Sequence, residues 1–231
     1  MRLKHLKIWI MVFGSLFGSN CNSQHQDSGQ SFVDRQPAYA GQFYPGTEKA
    51  LTSKLVEVFS KAEPSKTDNV IAIIAPHAGF DYSGIVAASA FNQIDPGKEY
   101  EHIFVMAPSH RMSFKGASIY CKGNYITPLG SVPVDIDFGR SLINKYDIFF
   151  ENDASQNNEH SLEVELPFLQ YVMKKSYKII PVVVATQDPE ICKKIAESLK
   201  QYFNSDNLFI ISSDFSSENT ISNEEAVHYA M

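Results

Sequence analysis

The stretch that decides the fold is residues 71–80, IAIIAPHAGF, an apolar run that ends at Pro76 and continues into His77. The same pattern returns at residues 103–110, IFVMAPSH, and ends at His110. Apolar runs of this length predict buried strands. Proline ends each strand because it has no amide hydrogen to donate to the ladder. We therefore expect both histidines at the edge of a sheet and outside its core.

Strands and helices alternate along the rest of the chain. Strands are predicted at residues 70–75, 103–107, 117–121, 178–184 and 208–211, helices at residues 47–62, 85–94, 138–145 and 189–203, and a loop or hairpin at residues 125–134. This alternation is typical of a mainly parallel sheet flanked by helices, and 231 residues suffice for a single α/β domain. Ligands bind outside the carboxyl ends of the strands in such sheets, so we expect the functional site at that edge.

The N-terminal region differs from all that follows. Three basic residues open it, an apolar run occupies residues 8–17, and small residues lead to Cys21. Because this run is too short to span a bilayer, residues 1–21 predict a signal peptide or a lipoprotein leader. Residues 22–34 predict a polar tether, and residues 35–231 the folded domain. The protein would then be exported, either to the periplasm or as a bacterial lipoprotein held on a membrane by a lipidated Cys21; lipidation and its absence remain alternatives.

Charge and cysteine content exclude several classes of protein. The formal net charge of −6 leaves no basic footprint for nucleic acid. Cys121 and Cys192 are too far apart to form a disulfide framework and are predicted to be buried free thiols. The sequence has no Gly-x-Ser-x-Gly elbow, no His-Glu-x-x-His helix and no cysteine in a recognisable nucleophile setting. The serines at strand ends are predicted to form turns: Ser83, Ser109 and Ser213.

Residues 157–170, NNEHSLEVELPFLQ, are a third informative stretch. Asparagine before an apolar run predicts a helix start, with Glu159 and His160 in or beside the first turn. His160 and Glu163 would share one face of that helix. Charged side chains on a helix face are usually solvated, which is our expectation for Glu165. His160 follows a long polar loop, where binding residues concentrate, and is a candidate for function.

Three predicted strands deliver His77, His110 and Asp214 to one edge of the sheet. Two histidines and a carboxylate can hold a divalent metal and leave other positions open, as in non-haem iron enzymes. Zinc would accept the same ligands. His160 could then act as an acid or base, or support a ligand, because its ordinary pKa lies near neutrality.

The motifs together resemble the Memo family, whose bacterial members are called AmmeMemoRadiSam system protein B. They are AGQFYP at residues 40–45, PHAGF at 76–80, YSG at 82–84, PSH at 108–110, EHSLEVELPF at 159–168 and SSD at 212–214. The likeness runs in order from about residue 35 to the end of the chain. It implies a fold similar to class III extradiol dioxygenases of the LigB type. It also implies a pocket for iron or copper in which His77 and His110 are ligands.

Two departures from the family pattern concern the site. Family members place a histidine, the counterpart of a dioxygenase base, where this chain has Ser217, and they carry a later cysteine ligand beyond the position of Met231. The chain is therefore expected to be either C-terminally truncated or a degenerate member of the family. In both cases Asp214 or His160 would have to take the missing catalytic or ligand role.

Three functional hypotheses follow. The first is a metal-dependent redox enzyme of dioxygenase type that acts on an unidentified small molecule. The second is a protein that binds a metal or ligand in the same pocket without catalysis, which Ser217 favours. The third, a zinc hydrolase, has the least support because no nucleophile or hydrolase motif accompanies the histidines.

Overall fold

A mainly parallel sheet of six strands forms the centre of the protein. The computed structural model describes residues 32–213, which belong to one compact unit. The strands in chain order are β1 (Ala72–Ala75), β2 (His102–Pro108), β3 (Ala117–Ile119), β4 (Tyr125–Thr127), β5 (Gly130–Val132), β6 (Phe149–Phe150), β7 (Ile179–Val184) and β8 (Asn207–Ser212). The six-stranded sheet has the order β1-β8-β2-β7-β3-β6, and β4 pairs with β5 in a separate hairpin. All neighbours in the large sheet are parallel except β3 and β7. The predicted α/β class, with a mainly parallel sheet flanked by helices, is confirmed.

The strand order has a direct consequence for the site. β8, the last described strand, lies between β1 and β2 and is parallel to both. The carboxyl ends of β1, β2 and β8 therefore meet at one edge of the sheet. The segments that follow β1 and β2, which carry two of the three predicted metal ligands, His77 and His110, lie on either side of β8.

Helices cover both faces of the sheet. They are α1 (Glu48–Ser60), α2 (Phe80–Phe91), α3 (Ile136–Lys145), α4 (Asp153–Asn157), α5 (His160–Glu163), α6 (Leu166–Val172) and α7 (Pro189–Leu199), with a 3-10 turn at Lys200–Tyr202. Side chains cap the first turn of two helices: the Thr47 hydroxyl accepts from the amide of Ala50, and the Asp188 carboxylate accepts from the amide of Glu190.

Two apolar clusters explain why the strands are apolar on both faces. Side chains of β2 alternate between the faces: Ile103, Val105 and Ala107 belong to one cluster, and Phe104 and Met106 contact the other. The first cluster packs on α1, α2 and α6, and the second on α3 and α7. Burial of each large aliphatic or aromatic side chain stabilises the fold by about 1.5–3 kcal/mol. The sheet is therefore a shared middle layer, as continuous apolar strands predict.

Helix α2 begins earlier than the sequence indicated. Its first residue is Phe80, whereas the helix was predicted from residue 85. Gly84 lies within the helix where α2 packs against α1, and a Cβ atom there would lie 3.1 Å from a Val58 side-chain carbon. The glycine thus serves close helix packing and does not end the helix.

The prediction for the cysteines was half right. Cys121 is a buried free thiol, but Cys192 is a free thiol exposed on α7. The buried residues of that helix are Ile195 and Leu199. Cys192 lies in the turn before Ile195 and is exposed. Spacing along the sequence did not reveal which turn of α7 contacts the sheet.

The N-terminal leader and Cys21 lie outside the described residues. At the end of the predicted tether, the amide of Val33 donates to the carbonyl of Lys122, and the Asp34 carboxylate accepts from the amide of Asn124. Within residues 32–213, no helix combines the length and the apolar character that crossing a membrane requires.

Candidate metal centre

Three histidines, His77, His110 and His160, converge at the carboxyl edge of the sheet, and we call them the histidine trio. One ring nitrogen from each lies within 4.8 Å of the others. The ring centroids are 5.1 Å apart for His77 and His110, 5.5 Å for His77 and His160, and 4.5 Å for His110 and His160. His77 and His160 are more than 80 positions apart in the chain, and together with His110 they form one cluster of nitrogen donors.

His77 lies two residues beyond β1 and has a defined tautomer. Its Nδ1 is 2.7 Å from the Ser212 hydroxyl, which donates its hydrogen to the carbonyl of Ser161 at 2.7 Å. A hydroxyl has one hydrogen, so Ser212 must accept from His77, and Nδ1 carries the proton. The lone pair is then on Nε2, the form of imidazole that binds a metal.

His77 differs from the expectation in its burial. We predicted both histidines outside the core, but the side chain of His77 is fully buried (0% exposed). The His77 ring donates to Ser212 of β8, and Ser212 donates to the carbonyl of Ser161 in α5. Residues from these two elements therefore lie against the ring. His110 matches the prediction better, with 38% of its side chain exposed.

His110 is oriented by Glu159. One Glu159 oxygen accepts from the His110 amide at 2.6 Å, and the other lies 3.0 Å from Nδ1 of the ring. A carboxylate only accepts, so Nδ1 carries the proton and Nε2 the lone pair. Such a carboxylate behind a histidine is the usual support for a metal-binding ring.

Glu159 keeps its charge although only 1% of its side chain is exposed. Burial alone would raise its pKa, but hydrogen bonds from the His110 amide and ring and from the Ser161 amide outweigh that effect and lower it. The carboxyl pKa therefore lies below its ordinary value. A buried anion behind the trio favours a cation within it.

His160 is the first residue of α5, and Glu159, not an asparagine, is the N-cap. The Glu159 carboxylate accepts from the amides of His160 and Ser161 and so fixes the start of this short helix. Aromatic rings of the N-terminal segment contact the His160 ring, with centroids 4.5 Å away for Phe43 and 5.4 Å for Tyr39. The segment that carries Tyr39 and Phe43 thus forms one wall of the trio.

A buried ion pair attaches that aromatic wall to α5. Glu163 binds the guanidinium of Arg35, and both side chains are fully buried. It also accepts from the amide of Tyr39 at 2.9 Å and from the hydroxyl of Tyr44 at 2.5 Å. Burial, the Glu163 charge and this hydrogen bond all raise the pKa of Tyr44, so its hydroxyl stays protonated and donates.

The expectation of a solvated Glu165 was wrong. Glu159, Glu163 and Glu165 are each 1% exposed or less. The sequence did carry a signal of this burial. Leu162, Val164 and other apolar residues alternate with the glutamates, so the helical stretch has no separate polar face. Glu159, Glu163 and Arg35 are thus supporting residues that sequence reasoning missed.

The remaining predicted site residues have mixed outcomes. Asp214 and Ser217 lie outside the described residues, so the proposed roles of Asp214 as ligand and catalytic group stay predictions. Ser109 supports a turn as expected, because its hydroxyl accepts from the amide of Met112. Ser83 does not: it lies within α2, and its hydroxyl donates to the carbonyl of Ala78. His160, predicted as an acid or base, lies among the nitrogen donors themselves.

The donor set fits a divalent first-row transition metal. Imidazole nitrogen suits zinc, copper and iron. Two of the three rings have the tautomer that a ligand requires, with the proton on Nδ1 held by Ser212 or Glu159 and the lone pair on Nε2. The site therefore has the ligands, their supporting hydrogen bonds and a compensating buried carboxylate.

Comparisons with known proteins agree with the geometry. A family profile described as Memo-like protein matches residues 35–223. MEMO1 family proteins are similar along most of the chain: one from Methanopyrus kandleri is 33% identical over 176 residues, which is 72% of this chain and 62% of the relative. One from Aeropyrum pernix is 35% identical over 173 residues (71% and 62%), and one from Pyrococcus horikoshii 34% over 188 residues (78% and 64%).

These relatives also set limits. The matched region spans less than two thirds of the length of each of them. They come from archaea and so give no support to the predicted bacterial source. The profile nevertheless covers most of the chain and includes all three histidines of the trio. The chain belongs to the Memo family.

Proposed function

We propose that the protein binds one divalent transition metal at the histidine trio and uses it for redox chemistry of the dioxygenase type on a small molecule. The observation that carries this proposal is the approach of three ring nitrogens to within 4.8 Å of one another. Two of these rings are held in the metal-binding tautomer by buried partners. A buried acceptor for the second ring nitrogen is the usual arrangement around a metal-binding histidine.

The metal that we propose is iron or copper, and zinc would fit the same nitrogen donors. When bound, such a metal would supply the redox chemistry and bind the reacting groups. Three protein ligands leave further coordination positions open for a small molecule. Asp214 is a proposed additional ligand or base, because it follows β8, the strand between the two histidine-bearing strands.

The residues around the trio would divide the remaining tasks. Glu159 would offset the positive charge of the metal from behind His110 and His160. Phe43 and Tyr39 would exclude water from the His160 side. His110, the most exposed ring of the trio, marks the side from which a small molecule would enter.

Metal analysis tests the site. Protein loaded anaerobically with Fe²⁺, Cu²⁺ or Zn²⁺ and then desalted is expected to retain about one metal per chain, as a single three-ligand site requires. Replacement of His77, His110 or His160 by alanine is expected to remove most of that metal. His102→Ala is the matched control, because His102 is a largely buried histidine that stacks on Phe138, with ring centroids 3.7 Å apart. Retention of metal by all three trio variants would refute the assignment.

A second candidate function is metal binding without turnover. The observation that favours it is Ser217, at a position where the family resemblance implies a histidine. Oxygen consumption by the metal-loaded protein across a panel of catechols and small phenols separates the two candidates. Consumption that is lost in the His77→Ala variant supports the enzyme, whereas silence across the panel despite tight metal binding supports the binding protein.

Export is a separate proposal that rests on residues 1–21 alone. Mass spectrometry of the protein purified from its own cells would identify the mature N-terminus. A diacylated or cleaved N-terminus at or near Cys21 supports export, and an intact Met1 overturns it.

A further inference from the structure

The histidine trio opens to solvent on one side. His77 is fully buried and the side chain of His160 is 14% exposed, whereas that of His110 is 38% exposed. The next residue after His110 is Arg111, whose side chain is exposed. A molecule that approaches the trio from solvent on this side therefore passes an arginine.

The Arg111 guanidinium has a defined position. One of its terminal nitrogens donates to the hydroxyl of Tyr39 at 2.7 Å, and its central carbon lies 6.0 Å from the centre of the Tyr39 ring. The Tyr39 hydroxyl in turn donates to the carbonyl of Asn158, and the same ring contacts His160. Tyr39 thus joins the guanidinium to the wall of the trio and restricts its motion.

Arg111 differs from the other arginines of the described region in its partners. Arg35 and Arg140 each have a carboxylate neighbour, Glu163 and Glu151 respectively. Among residues 32–213, no carboxylate lies within ion-pair distance of Arg111, and its guanidinium makes a single hydrogen bond to protein, the bond to Tyr39. A guanidinium has five N–H donors, so most of them remain for a ligand or water.

The surrounding charge does not cancel this cation. The nearest acidic group in the site, Glu159, is 1% exposed and accepts from the amides of His110, His160 and Ser161 as well as the His110 ring. Those hydrogen bonds engage the Glu159 carboxylate, and its charge acts on Arg111 only from beyond ion-pair distance. The whole chain carries a formal net charge of −6, so an exposed cation at the site is not part of a generally basic surface.

We infer that Arg111, held by Tyr39, is an anion-binding position at the open side of the histidine trio. The small molecule that reaches the trio would accordingly carry a carboxylate or a phosphate group, the two anions that a guanidinium binds through paired hydrogen bonds. This inference rests on the proposed function for the identity of the site, and it adds the chemical class of the ligand. Arg111 would fix the orientation of that ligand, and the trio would face its reacting end.

The test compares three probes of similar shape: benzoate, phenyl phosphate and neutral benzamide. The affinity of each probe is measured by isothermal titration calorimetry on the full chain, after a chelator has removed any metal. Because the anions then have no metal to bind, a preference for them reports on the arginine. We expect at least one anion to bind about tenfold tighter than benzamide, the gain typical of a charged hydrogen bond. Whichever of benzoate and phenyl phosphate shows the larger increase in affinity over benzamide identifies the preferred group, carboxylate or phosphate.

Two variants complete the test. Arg111→Gln is expected to abolish the preference for the anion. Lys115→Gln, which removes one positive charge from another exposed residue of the same loop, is expected to preserve it. Equal binding of benzoate, phenyl phosphate and benzamide to the unaltered protein would overturn the inference, and so would a preference that survives in Arg111→Gln.

The outcome is separable from that of the proposed function. Metal content of Arg111→Gln is expected to equal that of the unaltered protein, because Arg111 is not a member of the trio. If the unaltered protein prefers anions in metal-free form but retains no metal after loading, the proposed function fails and the anion site stands. If metal binds and the anion preference is absent, only the present inference fails.

Discussion

Replacement of Ser212 by alanine is the most direct test of the tautomer assigned to His77. Ser212 is 3% exposed, accepts from His77 Nδ1 at 2.7 Å and donates to the carbonyl of Ser161 at 2.7 Å. Alanine removes the acceptor that keeps the proton on Nδ1. The His77 ring is then free to change tautomer or rotate, and a fraction of the molecules no longer present Nε2 to the trio.

The expected loss of metal affinity is about 10- to 100-fold, the usual effect of removing a hydrogen-bond partner from a metal-binding histidine. This corresponds to about 1.4–2.8 kcal/mol of binding free energy. A separate loss of about 1–3 kcal/mol in the free energy of unfolding is expected, because the buried Ser161 carbonyl and His77 Nδ1 lose a partner. Metal affinity would be measured by competition with a chromophoric chelator, and unfolding with urea.

Ser89→Ala is the matched control for this experiment. Ser89 is also buried (5% exposed), donates to the carbonyl of Ile85 at 2.8 Å and accepts from the amide of Glu63 at 3.0 Å, but it lies on α2. It should lower stability without a change in metal affinity. The reasoning about His77 would be refuted if Ser212→Ala bound the metal within about twofold of the unaltered protein. That change is well below the usual effect of removing the hydrogen-bond partner of a metal-binding histidine.

Three further predictions concern stability and reactivity. Glu163→Gln leaves a fully buried guanidinium without its anion and should cost about 3–5 kcal/mol of unfolding free energy, measured with urea. Gly116→Ala should cost more than about 1 kcal/mol, because the residue has φ +117° and an added Cβ atom would overlap a backbone carbonyl oxygen. In the folded protein a thiol reagent should modify Cys192 but not Cys121, since burial raises the pKa of Cys121 to about 12 and the thiol stays protonated at all lower pH values.

Each of these predictions has its own control and contrary result. Glu57→Gln removes an exposed ion pair and should cost less than about 1 kcal/mol, so an equal cost for Glu163→Gln would contradict the buried network. Gly130 has φ +111° without any atom within 4 Å of an added Cβ, so Gly130→Ala should cost less than Gly116→Ala. Rapid modification of Cys121 below pH 9, with the protein folded, would show that the thiol is accessible.

The strands and the two strand-end histidines could be predicted from the sequence because their signal is local. An apolar run that stops at proline has the same meaning wherever it lies in the chain. The carboxyl ends of β1 and β2 agree with the prediction to within one residue, although β1 begins at Ala72 and not at residue 70. The family motifs likewise located residues 159–168 as important before the structure placed His160 in the trio.

The buried charges could not be predicted in the same way. Glu163 is separated by 128 positions from its partner Arg35, and a glutamate in an isolated helix pattern is expected to face water. Only the partner makes burial of the carboxylate acceptable, because an unpaired charge would lose too much hydration energy. The same holds for Glu159, whose donors come from the segment after β2 and from α5.

The sequence by itself determined the α/β class, the carboxyl edge of the sheet as the place of the site, and His77 and His110 as candidate ligands. Only the tertiary structure decided that β8 lies between β1 and β2, that His160 completes the trio, and which tautomer His77 and His110 adopt. The physical reason is that secondary structure follows from the periodicity of neighbouring residues, whereas strand order and hydrogen-bond partners depend on contacts between distant segments. The neighbour that orients each histidine is therefore fixed only when the chain has folded.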